Sequence, residues 1–109
     1  MSAEGGGLSL DTSQQRFEGT MPYRAAVSPP AARLVQWAYS LVVEALEHAV
    51  AFTVTLRDAK GQRVALAQSD EGVASIELEL REQTYELDIE STEPAAFRAI
   101  CTQTYGYRG

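Results

Sequence analysis

The chain has 109 residues, a formal charge of -6, 45% hydrophobic residues and one cysteine, Cys101. That length allows a single domain with a modest core and no covalent staples. An acidic balance in which Lys60 is the one lysine argues against a phosphate backbone as ligand, and a lone cysteine cannot close an internal disulfide. Because no basic region followed by an apolar core stands at the N-terminus, a cytoplasmic location is the simple expectation.

Residues 1–15 are rich in Gly and Ser, with Leu8 and Leu10 the only anchors, and read as a flexible N-terminal tail. The remainder, 16–109, is expected to form a single α+β domain. Phe17, Met21 and Tyr23 suggest a short edge strand, weakened by Gly19 and Pro22.

The stretch from Pro29 to Val50 reads as one long helix. Ser28 is a suitable N-cap and proline suits the first helical position. At helical spacing, Gln36, Glu47, Ser40, Arg33, Glu44 and His48 gather within an arc of about 120°. The rest of the circumference is almost wholly apolar, wider than one core contact needs. Val35, Tyr39, Val42 and Leu46 make a bulky ridge for a sheet. Ala38, Ala45 and Ala49, with Leu34, Leu41 and Trp37, make a second strip that is expected to carry interaction. The polar interruptions argue against a membrane span.

After the helix the period becomes two. Phe52, Val54 and Leu56 alternate with Thr53, Thr55 and Arg57, and Asp58–Gly61 forms a turn that returns Val64 opposite Leu56. Val64 and Leu66 continue the inner face; Ile76, Leu78 and Leu80 follow, and a reversal at Glu82 and Gln83 brings back Tyr85, Leu87 and Ile89. Thr92 then caps a short final helix bearing Phe97, Ile100 and Cys101. The expected fold class is α+β, a two-layer sandwich with a long helix packed on a four-stranded antiparallel meander and a short C-terminal helix.

Few residues suggest chemistry. The hairpin register sets Glu79 opposite Glu86 and Glu77 opposite Asp88, a pattern that could hold a cation or meet a basic partner; a solvated face relieved by Arg57, Arg63 or Arg81 is the favoured reading, because four alternating strand residues do not make a calcium loop. His48 lies one helical turn from Glu44 with no nucleophile beside it, and Cys101 has the setting of a small buried hydrophobe. Asp70, Glu71 and Gly72 make a turn without further metal ligands, and the glycines at 5–7 precede no phosphate-binding switch. No enzyme activity, cofactor or metal is expected.

Two partial resemblances exist. The run Phe52–Ile89, about a third of the chain, resembles the strand pairs of bacterial transthyretin-like or carboxypeptidase-regulatory sandwich modules. It departs from them where a long helix replaces strands and where Glu82 and Gln83 replace a proline and glycine. The helix followed by the Asp58–Gly61 hairpin resembles the opening of Roadblock-type dimeric regulators, without their next helix. Neither carries site residues across.

The expected function is a small acidic protein-interaction or regulatory module. It is homodimeric or part of a larger assembly through Leu34, Trp37, Ala38, Leu41, Ala45 and Ala49, with neither nucleic acid nor membrane as partner. The alternative is a small-molecule-binding domain with a pocket between helix and sheet, lined by Trp37, Tyr39 and Tyr85.

Overall fold

The computed structural model describes residues 8–30, 34–47, 50–69 and 71–108, as backbone only at 8 and 108. Eight strands make up the fold: β1 (Leu8–Met21), β2 (Tyr23–Val27), β3 (Leu34–Ala45), β4 (Phe52–Arg57), β5 (Arg63–Gln68), β6 (Val73–Glu79), β7 (Tyr85–Ser91) and β8 (Ala95–Arg108). The described residues contain no helix, so the expected α+β class is wrong and the protein is all-β.

The long helix is replaced by β3. Its residues obey a period of two: Trp37, Tyr39, Leu41 and Val43 are buried, whereas Val42 and Glu44 are exposed and Ala38 and Ser40 lie half-buried between them. Valine and aromatic side chains in this run favour the pleated surface over a helix. Wound at helical spacing, an alternating pattern smears apolar residues around the cylinder. The over-wide apolar arc was the signature of the wrong period. Ser28, rather than capping a helix, places its hydroxyl 3.4 Å from that of Thr84.

The final helix is likewise a strand. In β8, Phe97, Ala99 and Cys101 point into the core, while Arg98, Thr102 and Thr104 lie on the other side. Its β-branched Ile100, Thr102 and Thr104 suit that extended form. Residues 8–15, read from sequence as tail, pair with β8 along the first half of β1.

The strands form two antiparallel sheets, with orders β1-β8-β3-β6 and β2-β7-β4-β5. Pairing is nested: β4 with β5, β3 with β6, β2 with β7 and β1 with β8. The chain is therefore one long hairpin, with its tip at Asp58–Gly61, rolled until its two arms divide between two layers. That is the jelly-roll arrangement.

The tip is built as the sequence suggests. The Asp58 carboxylate accepts from the amides of Lys60 and Gln62, both at 2.9 Å, and Gly61 takes the left-handed conformation at φ 83°. A bulge at Leu56/Arg57 shifts the register beyond it, so Leu56 faces Ala65 rather than Val64. Consequently Ala65 and Ala67 turn inward, and Val64 and Leu66 stand exposed instead of continuing the inner face.

The expected meander also fails. β6 leaves β5 to join the other sheet, pairing with β3, and β7 lies between β2 and β4. The core fills the space between layers: Trp37, Leu41, Val43, Phe97, Val54, Leu56 and Ile89 are almost fully buried. Each contributes on the order of 1.5–3 kcal/mol through removal from water.

Candidate assembly surface

Polar groups also line the inner side of the first sheet. Strand alternation points Trp37 and Tyr39 of β3, and Cys101 and Gln103 of β8, to the same side. The indole nitrogen of Trp37 donates to Oε1 of Gln103 at 2.7 Å, and the indole meets Tyr85 edge-on at 6.0 Å. Tyr39 and Cys101 sit diagonally across the β3–β8 pair. Burial pushes the Tyr39 phenol far above its ordinary range, helped by Cys101, and pushes the Cys101 thiol up despite hydrogen bonds with Tyr39 and Gln103. The thiol is therefore neutral, buried and poorly nucleophilic. Beside it a cleft of about 380 Å³ opens between β1 and β2, bordered by Gln15, Tyr23, Val27 and Gln103.

On the outer face of the second sheet, Asp88 is buried between two arginines. Arg24 Nε donates to it at 2.7 Å and Arg57 Nη1 at 2.9 Å. The hydrogen bond and charge of Asp88, aided by Glu86, raise the Arg24 pKa. The predicted acidic pairs do not exist, because β6 and β7 belong to different sheets. Glu79 faces Ala38 and Glu77 faces Ser40, while Glu86 lies beside Ala26 and Arg57, and Asp88 beside Arg24 and Thr55.

The residues expected to form one interaction strip are separated. Trp37 and Leu41 are buried in the core. Leu34 and Ala45 are half-buried at opposite ends of β3, and Ala38 lies on the outer face beside Thr104 and Glu79. Ala49 and His48 lie outside the described residues, as do Arg33, Asp70 and the glycines at 5–7. Without the helix, neither a helix-mediated dimer nor a pocket between helix and sheet remains. Trp37, Tyr39 and Tyr85 are core residues.

Among the described residues, what lies open is the set of sheet edges. The first sheet ends at β1 and β6, the second at β2 and β5. β1 and β2 border the same cleft, and β5 and β6 lie against each other on the far side. Natural edges are blunted by short length, proline, lysine or bulges. β2 has five residues flanked by Pro22 and by Pro29 and Pro30, and β5 has six. β1 runs for fourteen residues in unbroken register with β8 and contains no proline, lysine or bulge. Its half Ser9–Arg16 is exposed on both faces. The sequence hinted at this strand only by the absence of proline before Pro22 and by Thr12, Phe17 and Thr20.

The outer face of the first sheet carries these strands in level rows. Thr12, Thr104, Ala38 and Glu79 form one row; Gln14, Thr102, Ser40 and Glu77 form the next. The following row is Arg16, Ile100, Val42 and Ser75. Thr12 and Thr104 bring their hydroxyls to 3.2 Å, and Gln14 donates to Thr102 at 3.3 Å.

Topology and edges together define a small antiparallel jelly-roll β-sandwich. No protein-family model and no curated protein sequence matches the chain. Among solved structures it is similar to a chain of the Bacillus endospore appendages, described as disulfide-linked pili. That match has a TM-score of 0.66 and 12% identity, covering 98% of this chain and 97% of that one. It is also similar to the pre-peptidase C-terminal domain of a Bacillus anthracis collagenase, with a TM-score of 0.50 and 8% identity over 87% and 88% of the two chains. At these identities the likeness is one of fold.

Proposed function

We propose that the chain is a structural subunit that self-associates by strand addition along β1. The carrying observation is the fourteen-residue edge, unblunted, free among the described residues and exposed on both faces over Ser9–Arg16. Alternate residues of an edge strand direct both backbone N–H and C=O outward, so β1 offers a long row of unsatisfied donors and acceptors that another strand can complete. The near full-length fold likeness to a pilus subunit supports assembly as the use of that edge. Here the contact is non-covalent, since the one cysteine is buried beneath Tyr39 and Gln103. This reading replaces the helix-mediated module expected from sequence.

Proline scanning tests it. At adjacent positions Thr12 and Ser13, one N–H points to β8 and the other to the free edge. Proline on the free-edge side is expected to leave the melting temperature nearly unchanged and to abolish association in sedimentation velocity. Proline on the β8 side is expected to lower stability. If both variants associate as the wild type does, β1 is not the contact.

A further inference from the structure

From the edge geometry we infer the mate of β1: the β6 edge of a second copy, in a head-to-tail contact that repeats without closing. This inference rests on the self-association just proposed and specifies its partner surface.

The argument begins with strand direction. Each sheet has four strands of alternating direction. A second copy placed beside the first by translation across the strands therefore presents β6 antiparallel to β1. The same translation presents β5 antiparallel to β2, because β1 and β2 share one side of the sandwich and β5 and β6 share the other. One movement extends both sheets. Two unlike edges meet, so the contact is heterologous and leaves a free β1 and a free β6 at the ends of any chain of copies.

Charge selects the same mate. Arg16 is exposed on the outer face of β1 with no ion-pair partner among the described residues. Glu77 and Glu79 are exposed on the outer face of β6, also without ion pairs among the described residues. If the rows stay level across the contact, Arg16 meets Ser75 and lies diagonal to Glu77. A slide of one side-chain row sets Arg16 opposite Glu77 and Gln14 opposite Glu79. Both registers bring the guanidinium within reach of a carboxylate.

The second sheet supplies an independent observation. Val64 and Leu66 are 41% and 46% exposed on the outer side of β5. Across the rows of that sheet, Leu66 is level with Arg24, and Ala65 is level with Ala25. Addition of β5 to β2 covers the two exposed side chains with Ala26 and the aliphatic stem of Arg24. The same contact thus accounts for the unpaired charges on one sheet and the exposed apolar residues on the other.

Charge reversal on the full chain tests the inference by sedimentation velocity and electron microscopy at low salt, with circular dichroism to confirm folding. Arg16→Glu, and separately the double variant Glu77→Arg with Glu79→Arg, are each expected to raise the concentration needed for association by about tenfold or more. An equimolar mixture of the two variants is expected to restore association, since each basic edge then meets an acidic one. The variant carrying all three substitutions is expected to associate alone. If the wild type associates and these variants do so equally well, the β1 to β6 contact is wrong while self-association stands. A wild type that stops at a discrete dimer also overturns head-to-tail addition. A wild type that stays monomeric overturns the functional reading itself.

Discussion

The indole N–H of Trp37 donates to the side-chain oxygen of Gln103 at 2.7 Å, tying β3 to β8 inside the sandwich. Trp37 is almost fully buried, so its donor has no route to water once this acceptor is lost. Gln103→Leu is expected to cost about 1–3 kcal/mol, the penalty for an unsatisfied buried donor. A lower urea midpoint at unchanged slope is the expected readout. An unchanged midpoint would mean that the indole finds another partner.

Asp88 depends on its arginines more than they depend on it. Its side chain is only 5% exposed, whereas those of Arg24 and Arg57 are 68% and 41% exposed. Arg24→Ala or Arg57→Ala alone is expected to have a small effect, because one guanidinium still satisfies the carboxylate. Removing both leaves a buried charge without an ionic partner and is expected to destabilise by clearly more than the sum of the single changes. Additivity in a thermal-unfolding cycle would refute that coupling.

Alkaline pH should weaken the fold through Tyr39 and Cys101. Both groups have raised pKa values in the folded chain, so the native state holds these protons after the unfolded state has released them. Their contribution is full below the ordinary thiol value of 9.0 and is lost progressively as pH rises above it. The double variant Tyr39→Phe with Cys101→Ala is expected to flatten the alkaline limb of a stability profile. The thiol should also resist maleimide until the chain unfolds, and reductant should not change association.

Gly106 is required by close packing of strands. A Cβ at this position would lie 2.9 Å from Cβ of Gln36 and 3.4 Å from the Leu10 side chain, on the outer face where β3, β8 and β1 share a row. Gly106→Val is expected to destabilise by roughly 1–3 kcal/mol, the usual cost of overpacking. Hydrogen exchange should then quicken at the Leu10 end of β1 before the rest of the sheet.

Much of the strand content was legible. The alternation in Phe52–Arg57 and the Asp58–Gly61 turn led directly to β4, its partner and the tip of the rolled hairpin. β3 resembles a helix in sequence because its inward Trp37, Tyr39, Leu41 and Val43 stand next to outward Ala38 and Val42, which blurs the alternation. Its outward polar residues Gln36, Ser40 and Glu44 also recur every four, the spacing of a helix. The objection to a sandwich, that a helix stood where strands belong, disappears once β3 is a strand. Pairing was less legible than strand content: nothing local distinguishes a turn at Glu71 and Gly72 that closes a hairpin from one that carries β6 to the other sheet. The long edge strand β1 is the least legible. Ser9–Arg16 forms a strand through its ladder with β8, some ninety residues away, rather than through any apolar pattern of its own.

The central claim is self-association of the folded chain by its sheet edges. Sedimentation velocity of the wild type in the presence of reductant, over a wide concentration range, tests it most directly. The account predicts a ladder of growing species that lengthens with concentration; a single monomeric boundary throughout would contradict it.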